Sequence, residues 1–323
     1  MDLRKQICAP IELEFQEFSK RYSRLFTSSN PGVDLLLKFL LERKGKLMRP
    51  ILVLLVAKCY ENVSDSTYHL ASAVELLHQG SLIHDDVVDE SDKRRGKKSA
   101  NAVYDNKMAV LLGDYVVSMA LRQITATANV KSVDALSTLI GTLSEGEITQ
   151  LNALDETTLS EDLYFDIISK KTAILFSSCT SLSALLSGAS EQDINAFRQF
   201  GHVAGLCFQI MDDILDYHDS SETGKPSGND LKEGKFTLPA IYALTHSDLD
   251  WSNYIRAIRS LEATPEQIRE VTEYSVSNGG IEYALSKMEE LKKQAIQGLP
   301  AFISPELRSA FIAYLELITN RSK

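Results

Sequence analysis

Residues that interrupt regular secondary structure are scarce in this sequence. Its 16 glycines and 8 prolines amount to about 7% of the 323 residues, against about 12% in average usage. Sheet-rich folds need many turn residues, so this scarcity favours long helices. Cysteine is also scarce, and none of the four cysteines has CxxC spacing. That pattern argues against a zinc site or a disulfide framework and favours a cytoplasmic protein.

A basic charge balance and long apolar segments are absent as well. The chain has 34 Lys and Arg against 44 Asp and Glu, which gives a net charge of −10. Because the phosphate backbone of nucleic acid attracts a basic surface, this balance argues against a nucleic-acid partner. The longest apolar run, residues 51–57, is far shorter than the ~20 residues that span a bilayer. The first residues contain no apolar signal-peptide core, so we expect a chain without a targeting or transmembrane segment.

Helical periodicity runs through most of the chain. In residues 66–84, apolar side chains recur three and four residues apart, which predicts the wide apolar stripe of a buried helix. Similar patterns cover residues 11–26, 33–43, 48–61, 100–128, 131–153, 158–187, 191–218, 236–246, 265–278, 279–297 and 303–320. No segment shows sustained strand alternation, and one irregular stretch, residues 219–235, has the length of a functional loop. We predict one all-α domain over residues 1–323.

Two clusters of aspartates each follow an apolar helical segment. Residues 82–92 (LIHDDVVDESD) and 209–219 (QIMDDILDYHD) both contain the pattern DDxxD. Helical residues four apart share a face, so Asp85 lies beside Asp89, and the like charges destabilise the helix unless a cation neutralises them. Carboxylate pairs suit Mg²⁺ bridged to a substrate phosphate. A solvated acidic helix end is the alternative for one motif, but its weight falls because the motif occurs twice. The adjacent carboxylates expected to support the metal are Asp86, Asp213 and Asp216.

Basic residues accompany both clusters. They are Arg94 and Arg95 after the first, Lys225 and Lys235 after the second, Lys46 and Arg49 upstream, and Lys170 and Lys171 in the middle. Singly, each is more often a solvent-facing charge than a ligand. Together with carboxylates that hold Mg²⁺, they indicate a diphosphate site. On a helix, adjacent residues point about 100° apart, so the side chains of Arg94 and Arg95 are predicted to point in different directions.

The motifs resemble those of the trans-isoprenyl diphosphate synthases. GKLMRP, LIHDDVVDESDKRRGKKSAN, KKTA and FQIMDDILDYHDSSETGKPSGNDLKEGKFTLPAIYAL stand in the family's order and spacing, from about residue 40 to 245. The family's commoner GGKRxRP is replaced here by residues 44–50, KGKLMRP, which keeps the Lys and the Arg at their spacing. The resemblance implies a bundle of long helices around a deep central cavity, a homodimer, and prenyl transfer that depends on three Mg²⁺ ions.

The resemblance also implies residue roles. The direct metal ligands would be Asp85, Asp89 and Asp212, which with Lys171 and Arg94 form the catalytic set. The allylic diphosphate would bind Arg94, Lys171, Thr172, Gln209, Lys225 and Lys235. Isopentenyl diphosphate would bind Lys46, Arg49, His78 and Arg95. A lone His on an apolar helix is usually a core residue, but His78 lies seven residues before Asp85 and therefore on the same face.

Other classes of protein fit the sequence less well. A terpene cyclase would share the first motif but carry (N/D)DxxSxxxE as its second, where this chain has DDILD. A non-catalytic regulatory subunit of a prenyl synthase would be expected to have lost one aspartate motif, and both are intact here. A short-chain farnesyl or geranylgeranyl diphosphate synthase remains the alternative within the family.

The residues just before the first motif bear on product length. Short-chain members of the family carry Phe or Tyr there, whereas this chain has the small residues Gly80 and Ser81. A helix of ~20 residues is roughly 30 Å long, and an isoprene unit takes roughly 4–5 Å, so about six to eight units fit along it. We predict a long-chain product, centred on octaprenyl diphosphate. The alternative is that Gly80 merely allows close helix packing.

Overall fold

The protein is almost entirely helical in the computed structural model, which describes residues 2–43, 45–94, 96–217 and 228–320. The α-helices of the first half are α1 Leu3–Cys8, α2 Glu12–Arg24, α3 Pro31–Leu41, α4 Met48–Cys59, α5 Asp65–Val88, α6 Ala100–Tyr104, α7 Asn106–Thr125 and α8 Val130–Asn152. Those of the second half are α9 Glu161–Ile168, α10 Ile174–Leu186, α11 Glu191–Asp216, α12 Asn229–Lys232, α13 Leu238–Thr245, α14 Ser252–Arg259, α15 Pro265–Ser277, α16 Gly280–Gln297 and α17 Pro305–Thr319. The all-α prediction is confirmed.

Shorter elements complete the described chain. Short 3₁₀ turns cover Ala9–Ile11 and Ala153–Asp155, and a π-helical turn covers Ser169–Ala173. The strands β1 Lys93–Arg94 and β2 Lys97–Lys98 pair antiparallel, with Lys93 opposite Lys98 and Arg94 opposite Lys97. Two-residue strands are too short to show an alternating pattern, which is why the sequence did not indicate them.

Some boundaries differ from the periodicity. The pattern over residues 158–187 is divided by the π-helical turn, and helix α14 was not anticipated. The stretch 219–235 was expected to be irregular, yet Asn229–Lys232 forms helix α12. Its N-cap, Gly228, has a φ of 75°, a conformation that suits glycine, and this starts the helix after the residues that lie outside the described chain. No described helix is long and apolar enough to cross a membrane.

The chain divides into two compact units. Unit 1 contains residues 1–137, 178–197 and 301–310, and unit 2 contains residues 138–177, 198–300 and 311–323. The first aspartate motif therefore lies in unit 1 and the second in unit 2. The expectation of a single domain stays a prediction.

The core of unit 1 is built on helices α4 and α5. All seven residues of Ile51–Ala57 are fully buried, so α4 is covered on every side, as a helix apolar all round must be. Each large aliphatic side chain buried in this way contributes about 1.5–3 kcal/mol. Helix α5 starts with a capping box, in which the side chains of Ser64 and Thr67 satisfy backbone N–H groups reciprocally. This fixed start determines which face carries Asp85 six turns later.

Unit 2 has its own apolar core, on which the second motif is mounted. Its members include Tyr164, Ile210, Ile214, Leu238 and Ile241, each at most 5% exposed. Ile210 and Ile214 flank Asp212 on α11 and are buried, and Asp213 between them is buried as well, whereas Asp212 is half-buried. Packing of α11 therefore orients the carboxylates of the motif.

Candidate active site

The first aspartate motif occupies the C-terminal end of α5 in unit 1. Asp89 is the C-cap, and its N–H donates to the carbonyl of Asp85 at 2.8 Å, so the predicted i,i+4 spacing holds. Asp85 is half-buried and Asp89 is exposed. Carboxylates at a helix C-terminus face the negative end of the helix dipole as well as each other. The arrangement is costly by itself and favours the binding of cations.

Asp86 is placed differently from its two neighbours. It is 4% exposed, and its Oδ1 accepts a hydrogen bond from Arg94 Nε at 2.6 Å. Its backbone carbonyl accepts from the N–H of Ser91 at 2.9 Å and from Asn101 Nδ2 at 3.1 Å. Burial raises the pKa of the Asp86 carboxyl, and the guanidinium of Arg94 opposes this rise. Asp86 is thus buried and bonded to Arg94, a residue predicted to bind the allylic diphosphate.

A basic hairpin follows this motif. Strands β1 and β2 carry Lys93, Arg94, Lys97 and Lys98, and Gly96 between them has a φ of 74°. Arg94 therefore lies on a strand, which corrects the helical geometry expected for it from the sequence. Arg95 lies outside the described residues.

The remaining residues predicted in unit 1 lie on three segments. Lys46 is exposed in the segment before α4, and its carbonyl accepts from an Arg4 Nη at 3.0 Å. Arg49 is half-buried in the first turn of α4. His78 is half-buried on α5, two turns before Asp85, as predicted. Their assignment to isopentenyl diphosphate stays a prediction.

Gly80 and Ser81 occupy different environments on α5. Gly80 is buried against α7: a Cβ placed on it would come within 2.8 Å of Val117 Cγ2 and 3.3 Å of the carbonyl of Gly113. Ser81 is half-buried, and its Oγ donates to the carbonyl of His78 at 3.0 Å. Gly80 therefore allows α5 and α7 to approach closely.

In unit 2, the π-helical turn Ser169–Ala173 presents Lys171 and Thr172. Turns of this kind occur mainly as single wide turns and often lie at functional sites. Two glycines make room for it. A Cβ on Gly146 of α8 would lie 2.8 Å from the Lys171 N, and one on Gly205 of α11 would lie 2.4 Å from the Ala173 Cα. Neither glycine is marked by a motif in the sequence.

A chain of hydrogen bonds leads from this turn to the second aspartate motif. Thr172 Oγ1 donates to Gln209 Oε1 at 2.7 Å, and Gln209 Nε2 donates to Asp213 Oδ1 at 2.9 Å. The hydroxyl of Tyr164 donates to Asp213 Oδ2 at 2.7 Å. Three predicted site residues are thereby joined. Tyr164 is an additional member that sequence reasoning missed, because it stands 49 residues from Asp213.

Carboxylates are concentrated around Asp213. Asp212 and Asp216 are half-buried on α11, while Asp213 is 4% exposed. Desolvation, opposed by the bonds from Tyr164 and Gln209, raises the pKa of Asp213 to about 7. Desolvation and the nearby Asp213 and Asp216 raise the pKa of Asp230 well above its ordinary value. The backbone N–H of Asp230 donates to Asp216 Oδ2 at 3.0 Å, which brings the start of α12 to the motif.

A cleft of about 130 Å³ lies beside Asp213 and Asp230 within unit 2. Its wall combines basic, amide and hydroxyl groups with carboxylates: Lys171, Thr172, Gln209, Asp213, Asp230, Lys235 and Arg259. Lys171 Nζ donates to Glu147 Oε1 at 2.9 Å and to Gln150 Oε1 at 3.3 Å, and Lys235 Nζ pairs with Glu233 at 2.6 Å. The structure thus gathers four residues predicted for the allylic diphosphate: Lys171, Thr172, Gln209 and Lys235. Lys225 lies outside the described residues.

The raised pKa of Asp213 predicts a pH dependence of stability in the metal-free protein. The folded chain holds this proton more tightly than the unfolded chain, so the contribution of Asp213 to stability is lost as pH rises from about 4 to about 7. Asp213→Asn removes the titration and retains an acceptor for Gln209. In EDTA, the melting temperature of the variant relative to the parent should rise by at least about 3 °C between pH 5 and pH 8. A constant difference would contradict the assignment.

Among the described residues, no group of three or more His, Cys, Asp or Glu side chains is arranged as a metal cluster. The carboxylates nevertheless suit Mg²⁺, which keeps several waters and takes one or two protein carboxylates together with substrate phosphate oxygens. Asp85 and Asp89 provide two carboxylates of this kind, so a site for Mg²⁺ does not require a larger cluster of protein ligands.

Comparison with known proteins places the chain. Residues 31–275 match the polyprenyl synthetase family. The all-trans-nonaprenyl-diphosphate synthase (geranyl-diphosphate specific) of Rhodobacter capsulatus is 35% identical over 323 residues, 99% of each chain. The geranylgeranyl pyrophosphate synthase of Bacteroides thetaiotaomicron is 38% identical, with a TM-score of 0.86 and 99% and 100% coverage. A polyprenyl synthase of Caulobacter crescentus, complexed with calcium and isoprenyl diphosphate, is 29% identical, with a TM-score of 0.89 and 98% and 97% coverage. The chain belongs to the polyprenyl synthetase family and is a trans-prenyltransferase.

Proposed function

We propose that this enzyme uses Mg²⁺ to condense isopentenyl diphosphate with an allylic prenyl diphosphate and forms an all-trans long-chain polyprenyl diphosphate of about eight units. The observation that carries the proposal is that each of two DDxxD motifs stands beside side chains whose chemistry suits a diphosphate. In unit 1 these are the basic residues of the β1–β2 hairpin. In unit 2 they are Lys171, Thr172 and Gln209.

The proposed metal ligands are Asp85, Asp89 and Asp212. Bound Mg²⁺, for which we propose three ions, would neutralise the diphosphate and lower the free energy of the leaving group. The relative from Caulobacter crescentus, complexed with calcium and isoprenyl diphosphate, supports a divalent cation together with this substrate class. The exposed position of Asp89 leaves its carboxylate accessible to such a complex.

Charge development determines the roles of the other residues. Ionisation of the allylic C–O bond leaves a carbocation and a diphosphate anion, and fixed donors act most strongly where charge appears. Arg94, Lys171, Lys225 and Lys235, with Thr172 and Gln209, hold the departing diphosphate. Lys46, Arg49, His78 and Arg95 hold isopentenyl diphosphate, whose double bond attacks the cation. The departing diphosphate then takes the proton whose loss restores a double bond.

Water has to be kept from the carbocation, and no nucleophilic side chain is required. Positioning of the two substrates supplies most of the rate enhancement in such a reaction. The apolar residues Leu163, Ile168 and Phe236 line one side of the cleft in unit 2, and we propose that they keep water from the carbocation there. We propose that the polar residues on the other side of the cleft bind the diphosphate.

The two arginines after the first motif should separate kinetically. Arg94→Ala should raise the KM for the allylic diphosphate by at least about tenfold, and Arg95→Ala should do the same for isopentenyl diphosphate. The division follows the proposed role of each arginine, and Asp86 holds Arg94 beside the first motif. Initial rates with each substrate varied in turn provide the measurement. Equal effects of both variants on both substrates would contradict the division.

Ser81 and the relatives both bear on the length of the product. A nonaprenyl enzyme at 35% identity supports a long chain. A geranylgeranyl enzyme at 38% identity favours the alternative of a short-chain product. The tight packing of Gly80 against α7 favours it too, because packing explains the small residue at position 80 without reference to product length. We place the long-chain product first because position 81 carries no bulky side chain.

We also propose that the enzyme is a homodimer, as the resemblance implies. A row of exposed apolar side chains on α7 supports this: Met108, Leu111 and Tyr115 stand three and four residues apart, and Leu111 is 63% exposed. Sedimentation equilibrium should give twice the chain mass of 35.9 kDa. A monomer at micromolar concentration would contradict the proposal.

Prenyl transfer itself is tested with the purified chain, isopentenyl diphosphate and farnesyl diphosphate. We expect incorporation that is lost in EDTA and restored by Mg²⁺. A regulatory subunit would give no turnover, and a terpene cyclase would give a cyclic hydrocarbon from the allylic substrate alone.

A further inference from the structure

The second aspartate of each motif differs from its neighbours in the same way. Asp86 and Asp213 are both 4% exposed, whereas Asp85 and Asp212 are half-buried and Asp89 is exposed. The two motifs lie in different units and on different helices. The second aspartate is therefore buried in both motifs, although different helices and different neighbours surround it in each.

In unit 1, the contact of Asp86 is with an arginine. Its Oδ1 accepts from Arg94 Nε at 2.6 Å, while the side chain of Arg94 remains 37% exposed. A guanidinium held through Nε keeps its plane fixed and leaves other N–H groups for a planar, bidentate contact with phosphate oxygens. Asn101 and Ser91 hold the backbone carbonyl of Asp86 in turn, so the aspartate is itself fixed.

In unit 2, the contact of Asp213 is with an amide. Gln209 Nε2 donates to Asp213 Oδ1, and Gln209 Oε1 accepts from Thr172 Oγ1. These two bonds determine which end of the amide is the donor, and they leave the second N–H of Nε2 for a ligand. The other oxygen of Asp213 is occupied by the hydroxyl of Tyr164. Tyr164 is 5% exposed in the apolar core of unit 2 and so anchors the network.

We propose that Asp86 and Asp213 are positioning residues that fix Arg94 and Gln209, the side chains proposed to bind diphosphate, with Tyr164 as the anchor of Asp213. The inference rests on the proposed function and deepens it, since it separates the second aspartate of each motif from the metal-binding pair. Side chains oriented before the substrate arrives lose less conformational freedom on binding.

Asparagine and leucine substitutions separate positioning from metal binding. Asparagine keeps an acceptor for Arg94 or Gln209 but removes the charge that a metal ligand needs, and leucine removes both. We expect Asp86→Asn and Asp213→Asn to keep the Mg²⁺ concentration for half-maximal rate within about twofold of the parent. Asp86→Leu and Asp213→Leu should raise the KM for farnesyl diphosphate at least about tenfold. The matched controls Asp85→Asn and Asp212→Asn should instead raise the Mg²⁺ requirement more than about tenfold.

Binding without metal gives a readout that does not depend on turnover. Loss of a carboxylate near a bound anion strengthens binding through charge alone. If Asp86 positions Arg94, its loss should instead weaken the binding of the anion. Calorimetric titration with inorganic diphosphate, in EDTA and at low ionic strength, should show at least about threefold weaker binding to Asp86→Leu than to the parent. The control Asp85→Asn should bind as tightly as the parent or more tightly.

Coupling between the partners completes the test. If Asp86 acts through Arg94, the double variant Asp86→Leu/Arg94→Gln should be hardly worse than Arg94→Gln alone. Tyr164→Phe should raise the KM for farnesyl diphosphate without changing the Mg²⁺ requirement. Additive effects, unchanged or tighter diphosphate binding to Asp86→Leu, or a raised Mg²⁺ requirement in Asp86→Asn would overturn the inference. Failure of the proposed function would appear in the parent chain, as absence of Mg²⁺-dependent prenyl transfer.

Discussion

Replacement of Asp85 or Asp89 by alanine should lower turnover by at least about a thousandfold, which corresponds to about 4 kcal/mol at ~1.4 kcal/mol per tenfold. The two carboxylates lie one turn apart at the end of α5, where the Asp89 N–H meets the Asp85 carbonyl at 2.8 Å. Like charges at a helix C-terminus repel each other and oppose the helix dipole. Their removal should therefore leave the melting temperature unchanged or raise it.

A neighbouring carboxylate provides the control for this prediction. Glu90 is exposed directly after Asp89, so Glu90→Gln removes one negative charge at almost the same place without removing a proposed ligand. Steady-state rates in saturating Mg²⁺, with circular dichroism to check folding, compare the three variants. More than about a tenth of parental turnover in Asp85→Ala or Asp89→Ala would mean that these residues do not hold the metal.

A phenylalanine at position 81 should shorten the product to three or four isoprene units while condensation continues. Ser81 stands on α5 four residues before Asp85, and its side chain is half-buried. If the growing chain runs along α5 away from the metal, this residue lies about 6 Å from Asp85, at 1.5 Å per residue. A ring there would block the path soon after the first additions. Reverse-phase separation of dephosphorylated products measures the effect.

Position 80 is the matched control for position 81. Because even a Cβ on Gly80 would crowd Val117 and Gly113, Gly80→Ala should disturb the packing of α5 on α7 and lower stability without a defined new product length. If the Ser81→Phe enzyme makes the same products as the parent, Ser81 does not limit chain length.

The helices that carry the site were predictable because their signals are local. The i,i+4 spacing of Asp85 and Asp89 requires only that α5 continues to its last turn, and the apolar stripe together with the capping box at Ser64 ensures this. The same holds for Asp212 on α11, whose pattern is also unbroken. A site for Mg²⁺ could be proposed from the sequence because it depends only on the spacing of the carboxylates.

What the sequence did not reveal depends on contacts between distant segments. The pairing of Tyr164 with Asp213 joins α9 to α11, and no periodic pattern encodes which tyrosine is reached. Gly146 and Gly205 looked like ordinary small residues, because their purpose is visible only once the π-helical turn lies against them. The strand that carries Arg94 is two residues long, too short for its pattern to differ from a loop.

The measurement that tests the central claim most directly is the identity of the product formed by the unmodified chain alone. Purified enzyme, farnesyl diphosphate, excess isopentenyl diphosphate and Mg²⁺ should give a linear all-trans polyprenyl diphosphate of about eight units, and EDTA should abolish its formation. Mass spectrometry of the intact diphosphate reads the length without derivatisation. A cyclic product, no Mg²⁺-dependent product, or a product that ends at geranylgeranyl diphosphate would contradict the proposal of a long-chain synthase.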